Sequence, residues 1–323
     1  MKLRIATFNM ENLDETDRSP TLQERIPFLR PMLKRVNADI LCLQEVHGQE
    51  REGQKRALLA LEEVIRDTPY AGYFIEHTRT SHNEAYDKRN LVLISRFPIR
   101  EVQQYRNTLV KAPKYERVTA DPPDDEADDV RVERPILYTK IDIAPDILLH
   151  LINVHLKSRL PSSIPGQKKD RFAWKSSAGW AEGFFISSMK RVSQALEARI
   201  LIDAIFEQDE NARILVCGDF NASPGEVPVE AICGKVEDTG NADLARRALV
   251  PCEKTIPEPS RFTFIHRGQK RLLDHILISL PMLSYYRHSE IHNESLHDES
   301  VAFATDNKFP ESDHAPFIAE FEV

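Results

Sequence analysis

Residues 216–221 read VCGDFN. An apolar run ends there in a carboxylate and, two positions on, a carboxamide. Alternate side chains of an extended strand share a face, so Asp219 and Asn221 aim at one spot beyond the strand end. The same event recurs along the chain. LRIATF runs into Asn9 and Glu11, DILCLQ into Glu45, LLHLINV into His155, and RLL into Asp274 and His275. Ser312-Asp313-His314 opens the last apolar run. Singly, each residue has a bland reading as a cap, a turn residue or a core histidine. As a set they predict strand ends converging on a pocket of oxygen and imidazole ligands. Oxygen-rich ligation without thiolates suits Mg²⁺, Mn²⁺ or Ca²⁺.

The rest of the chain supplies a scaffold for such a pocket. Apolar runs at 3–9, 39–45, 72–77, 91–97, 136–143, 147–156, 213–220, 261–266, 272–279 and 315–321 predict strands. Leu58, Leu61 and Ile65 within 54–66, and Met189, Val192, Leu196 and Ile200 within 187–206, have helical spacing. Residues 22–36 predict a third helix, with Pro27 and Pro31 obscuring its start. Strands mixed with helices mean an α/β (or α+β) layered protein. At 323 residues, 41 % of them apolar, the chain builds a substantial core in one large domain or two ordinary ones.

Cysteines 42, 217, 233 and 252 form no Cys-x-x-Cys pair, which argues against a zinc site or a disulfide framework. Cys42 and Cys217 lie in apolar runs and read as small core residues. No stretch is long and apolar enough to span a bilayer. MKLRIATFNM reads as a strand, not as a signal peptide, so a cytoplasmic protein without stable membrane association is expected.

Net charge is −8, the wrong overall balance for a protein that coats nucleic acid. Two segments depart from the average. DPPDDEADD at 121–129 carries six carboxylates in nine residues, read as a solvated, mobile loop in preference to a calcium site. Residues 157–191 hold eight Lys or Arg against one Asp and one Glu, together with Trp174 and Trp180. That basic, aromatic stretch reads either as a surface insertion or as a groove for an anionic, base-stacking substrate.

FNMEN at 8–12, LQE at 43–45, NVHLKS at 153–158, GDFN at 218–221, LDHILIS at 273–279 and SDH at 312–314 resemble the ordered motifs of the endonuclease/exonuclease/phosphatase superfamily. The resemblance covers nearly the whole chain. It implies a four-layer α/β sandwich in which two mostly antiparallel sheets pack face to face between helices. It also implies one domain over 1–323, with loop insertions at about 111–134 and 157–190.

By the same resemblance, Glu45 would be the principal metal ligand, with Asn9, Asp313 and Glu11 completing the shell around Mg²⁺ or Mn²⁺. Asp219 would orient or deprotonate the attacking water, and Asn221 would fix that water or a phosphate oxygen. His155 and His314 would donate to non-bridging oxygens, with Asp274 as the partner of His314. In LLDHILIS, Asp274 is expected to face the site and His275 to face away. Arg89, Asn90, Lys157, Trp174 and Arg191 are weaker candidates for holding substrate.

These expectations add up to a metal-dependent phosphoesterase that attacks with water and forms no covalent enzyme intermediate. The basic insertion favours nucleic acid as substrate, which makes the protein a nuclease. The acidic balance keeps a small soluble phosphoester open, cleaved by a phosphatase or phosphodiesterase. A non-catalytic binding module on the same fold would lack site residues, and none of the major ones is missing. A structural protein with coincidental strand ends would bind no divalent metal. The sequence names no protein partner.

Overall fold

The computed structural model describes residues 1–170, 172–304 and 308–323, and only the backbone of 303 and 304. Arg171, one of the eight cations of the basic stretch, lies outside the described residues.

Two six-stranded sheets form the centre. The first contains β1 (Lys2–Leu13), β2 (Ile40–Val46), β3 (Phe74–His77), β4 (Asn90–Ser95), β15 (Tyr286–Ile291) and β16 (Phe317–Glu322), in the order β15-β16-β1-β2-β4-β3. The second contains β5 (Ile99–Tyr105), β8 (Ile136–Ala144), β9 (Ile147–His155), β10 (Arg213–Asp219), β11 (Leu249–Pro251) and β14 (Asp274–Ser279), in the order β11-β14-β10-β9-β8-β5. Two ribbons stand apart, β6 (Lys114–Tyr115) with β7 (Asp128–Asp129) and β12 (Phe264–His266) with β13 (Gln269–Arg271). All neighbours in the two large sheets are antiparallel except β1/β2 and β9/β10.

Period-two alternation divides the apolar side chains between layers. Leu3 and Ile5 of β1 face the second sheet and pack with Leu151, Leu215, Cys217 and Ile276. Ala6 and Phe8 face outward, under α1 (Leu22–Val36) and α2 (Leu59–Ile65). Ile152, Val154, Ile214 and Val216 lie under α3 (Ser177–Gln208) and α4 (Val227–Cys233). This is the expected four-layer sandwich, and Cys42 and Cys217 are buried in its middle as free thiols.

The helices differ in detail from their sequence patterns. α1 begins at Leu22 behind a capping box in which Thr21 and Glu24 satisfy each other's backbone N–H. It continues through Pro27 and Pro31. Only 59–65 of the segment 54–66 are helical. The Met189–Val192–Leu196–Ile200 stripe marks a real helix, but Val192, Leu196 and Ile200 face outward, Leu196 being 46 % exposed, and only Met189 is partly covered. α3 instead lays Ala195, Ala198, Leu201, Ile202 and Ile205 on the sheet. The pattern did not reveal β5 or β15, whose polar side chains suit solvent-facing sheet edges.

The two unusual segments meet over α3. The Glu182 carboxylate accepts from Tyr115 Oη (3.0 Å), Val118 N (2.5 Å) and Thr119 N (2.9 Å). Glu197 accepts from the N–H groups of Asn107, Thr108 and Leu109 at 2.7–3.1 Å. Val130, Ile164 and Ile186 form a small separate core with Tyr115 and Trp174. The acidic run is tied down within this cap: Asp124 and Asp128 pair with Arg117, and Asp129 with Arg131. Residues 177–190 belong to α3, so the irregular part of the second segment ends at 176. Among the described residues, no helix is long and apolar enough to cross a membrane.

Candidate active site

The parallel pairs β1/β2 and β9/β10 all end at one edge of the sandwich. Strands antiparallel to them begin at that edge, so β4, β8, β14 and β16 bring their first residues there. Asp219 stands in register with His155 on one side and Asp274 on the other. Asn9 Nδ2 donates to Asp219 Oδ2 at 3.1 Å and joins the two sheets across the cleft. Of the ten non-glycine residues with positive φ among the described residues, Glu11, Asn12, Glu45, Arg89 and Asn221 cluster here. Strained backbone concentrated in one place is what a functional site produces. Gly218 has φ +135°, and a Cβ there would lie 1.9 Å from the Val154 carbonyl oxygen. The GDFN bend therefore requires glycine.

Asp219 is the centre of a ring of donors. Its Oδ2 accepts from Asn9 Nδ2 (3.1 Å) and Asn221 Nδ2 (3.0 Å), and its Oδ1 accepts from Asn221 N (2.8 Å). His155 Nε2 lies 3.3 Å and His314 Nε2 4.0 Å from Oδ2. Burial alone would raise this carboxyl, but the hydrogen bond from His155 and the charge of His314 outweigh it and hold it far below the ordinary range. His314 Nδ1 meets Asp274 Oδ2 at 2.7 Å. Burial opposes charge on His314, yet Asp274 and Asp219 raise it well above its usual value, so it stands as an imidazolium. The pairing expected for Asp274 is present, and His275 faces the other way.

His155 differs from expectation. Its Nε2 lies between Asp219 Oδ2 (3.3 Å) and Glu45 Oε1 (3.5 Å), and its Nδ1 is buried without a partner. The donor expected to reach a phosphate oxygen is directed at two carboxylates. Burial, followed by the Arg134 charge, lowers its pKa, and Nε2 is the ring nitrogen that faces the two carboxylates.

A second group of carboxylates faces this ring. Glu11 is raised to about 6, first by burial and further by Glu45. Asp313 is raised well above its ordinary value by burial, then by Glu11. Glu45 is pushed up by burial but held lower by His155, Arg89 and Arg134. Arg25 lies beneath, but its donors go to the carbonyls of Met10, Glu11 and Pro310. Crowded carboxylates that disfavour their own charge fit a divalent cation. Among the described residues, only Asp219, Asp274 and His314 form a group of three in which one ligand atom from each lies within 4.8 Å of the others. Within that trio His314 Nδ1 is hydrogen-bonded to Asp274, and its Nε2 stands 4.0 Å from Asp219 Oδ2. Asn9 Oδ1 accepts from Glu11 N at 2.9 Å and connects the two groups.

The weaker candidates separate. Arg89 Nε lies 4.0 Å from Glu45 Oε1, at the cleft. Asn90 is occupied: Nδ2 donates to the carbonyls of Val46 and Tyr86, and Oδ1 accepts from Tyr86 N. It fixes the backbone after Glu45 and has no donor left for phosphate. Arg191 donates to the carbonyls of Lys157 and Ser158 and braces that turn. Trp174 packs in the cap core under Lys168, 3.9 Å from its ring centroid. Lys157 stays near the site, its pKa lowered by burial to about 8 despite Glu133.

Arg134 was not singled out in the sequence. It is buried, Nη1 has no partner, and its strongest electrostatic neighbours include Glu45, Arg89 and Asp219. The available signal was the cation of ERPILY just before a strand, since β8 begins where β9 ends.

If Lys157 holds an anion, kcat/KM loses activity as pH rises through about 8, and Lys157→Met removes that alkaline limb. The stability effect has the opposite sign. Between about 8 and the ordinary lysine value of 10.5 the unfolded chain binds more protons, so stability rises with pH there. Paired pH–rate and pH–melting profiles check both.

A model described as the Endonuclease/Exonuclease/phosphatase family matches residues 6–314. Solved structures of similar fold include truncated Caenorhabditis elegans TDP2, 16 % identical, with a TM-score of 0.58 over 100 % of this chain and 98 % of that one. The 3′ phosphatase NExo from Neisseria, bound to product DNA hairpin, is 18 % identical, with a TM-score of 0.55 over 99 % and 100 % of the two chains. A mannosyl-6-phosphatase from Bacteroides thetaiotaomicron is 16 % identical, with a TM-score of 0.57 over 99 % and 100 %. At these identities the likeness is one of fold. No curated protein matches the chain in sequence. The family match takes in both walls of the cleft, from Asn9 to His314, and the chain belongs to the endonuclease/exonuclease/phosphatase family of divalent-metal-dependent phosphoester hydrolases.

Proposed function

We propose that this protein is a nuclease that hydrolyses phosphodiester bonds by in-line attack of water, with Mg²⁺ or Mn²⁺. The observation that carries the reading is the pair at the cleft centre: an ionised Asp219 ringed by donors, beside a His314 kept charged by Asp274.

Phosphodiester hydrolysis needs an oriented water and neutralisation of charge gathering on phosphorus. Asp219 accepts a hydrogen bond from the water and points its lone pair at phosphorus. The low basicity of this carboxylate suits orienting more than holding the proton. His314 donates Nε2–H to a non-bridging oxygen, and Asp274 keeps that imidazole charged and aimed. Asn221 and Asn9 fix the Asp219 carboxylate, and His155 locks it from behind. Glu45, Glu11, Asp313 and the Asn9 carbonyl oxygen would hold the cation, which supplies Lewis-acid charge at the phosphate and the leaving oxygen. The cleft uses residues 9 to 314, so the whole chain acts as one catalytic domain in this reading.

Arg89, Arg134 and Lys157 place three cations beside the carboxylates, which suits a substrate with more than one phosphate. Arg134→Met is expected to reduce kcat/KM about 10- to 100-fold on a polynucleotide, the loss of a charged hydrogen bond. Steady-state kinetics on an oligonucleotide measures it.

Overall acidity favours a second reading, a small phosphoester bound without long-range attraction to DNA. Nicking of supercoiled plasmid with Mg²⁺ or Mn²⁺ separates the two, with Asp219→Asn prepared in parallel. Nicking by the wild type alone is expected. Hydrolysis of a sugar phosphate without nicking would replace the nuclease reading with the second one.

A further inference from the structure

The far side of β14 carries an arrangement that the reaction above does not use. His275 follows Asp274 and points to the opposite face of the sheet, where it is fully buried. Its Nδ1 lies 2.5 Å from Glu253 Oε1, and its Nε2 lies 2.9 Å from the Ala222 carbonyl oxygen. A carbonyl only accepts, so Nε2 carries a proton whichever partner holds the proton on the Glu253 side. Glu253 is 2 % exposed, and its second oxygen is buried without a partner. A sealed carboxylate–imidazole pair contributes little to stability that well-packed apolar residues could not match.

What the pair touches gives it a role. Ala222 directly follows Asn221, the residue with φ +49° whose amide donates to Asp219 and to the Leu156 carbonyl. The Phe220 ring, on the other side of Asn221, meets the His275 ring edge-on at 4.9 Å. His275 thus contacts the turn on both flanks of Asn221, and Glu253 sets the angle of its ring.

We propose that Glu253 and His275 are a positioning pair that fixes the Asp219–Asn221 turn through the Ala222 carbonyl and the Phe220 ring. Its effect on turnover rests on the reading of Asp219 and Asn221 as the groups that handle water and phosphate. Its effect on the turn does not.

The test therefore has two readouts. The double variant Glu253→Leu/His275→Phe replaces the pair with apolar side chains. The probe is bis(4-nitrophenyl) phosphate with Mn²⁺, and hydrogen exchange of the Asn221 amide is followed separately. We expect exchange about tenfold faster or more. We also expect kcat lowered about 10- to 100-fold with KM within about twofold, the signature of a misplaced group. His275→Gln keeps an N–H donor for Ala222 and is expected to retain slow exchange and most of kcat, which also covers failure of the double variant to fold. Wild-type exchange and kcat in a folded double variant would overturn the proposal. So would a His275→Gln protein as impaired as the folded double variant. Faster exchange together with a wild type that does not hydrolyse the probe would uphold the pair and count against the catalytic reading.

Discussion

Asp219→Asn is expected to fold and to lose about 10²- to 10⁴-fold in kcat, with little change in KM. The carboxylate accepts from Asn9, from both nitrogens of Asn221 and from His155. A carboxamide has one acceptor oxygen and would turn an N–H toward at least one of those donors. The attacking water then loses its acceptor, and the ring loses its reason to close. Stability should fall by about 1–3 kcal/mol, the cost of leaving a buried polar group unmatched. Because the Asp219 pKa is depressed in the folded state, its stabilisation is present above the unfolded carboxyl value and lost as pH falls below it. The variant should therefore resist acid unfolding better, relative to its own neutral-pH stability, than the wild type does. Single-turnover kinetics and acid melts measure the two effects.

Asp313→Asn is expected to stabilise the metal-free protein and to abolish most of its stabilisation by metal. Burial and Glu11 push this carboxyl up, so its charge is unfavourable until a cation arrives. An amide removes the repulsion. For the wild type, saturation at about 100 times Kd should add about 2.7 kcal/mol, and the variant should gain far less at the same concentration. Glu11 gives the pH signature. Its folded pKa of about 6 exceeds the ordinary value of 4.5, so its contribution is favourable at low pH and is lost as pH rises through that window. Metal-free stability should decline between about 4.5 and about 6, and Mg²⁺ or Mn²⁺ should restore it. Calorimetric melts with and without chelator test this, and a variant stabilised by metal as fully as the wild type would remove Asp313 from the site.

How much of this was legible depended on what strand geometry exposes. Residues that end strands, such as Glu45, His155 and Asp219, interrupt an apolar run and are visible as anomalies. Asp274 and His314 open apolar runs, and the family resemblance supplied their pairing, while the face of β14 that each of Asp274 and His275 takes followed from period two. Arg134 was missed because its strand begins at the cleft, and a charged residue before a strand looks like any loop residue. Arg191 and Asn90 were legible as polar groups but not as occupied ones, since only tertiary structure shows which carbonyls they meet. The outward stripe of α3 has a similar cause: periodicity identifies a helix, while the fit of small residues such as Ala195 and Ala198 against the sheet decides which side is buried. The cap was unreadable for the same reason, because Glu182 and Glu197 act through loop backbone far away in sequence.

Whether this cleft hydrolyses phosphoesters with a divalent cation is read from release of 4-nitrophenolate from bis(4-nitrophenyl) phosphate, using wild type and Asp219→Asn with Mn²⁺ or Mg²⁺, before and after chelation. Turnover that needs the metal, stops with chelator, returns on adding metal back and is lost in the variant is the predicted result. Turnover that survives chelation, or an Asp219→Asn protein as active as the wild type, would contradict it.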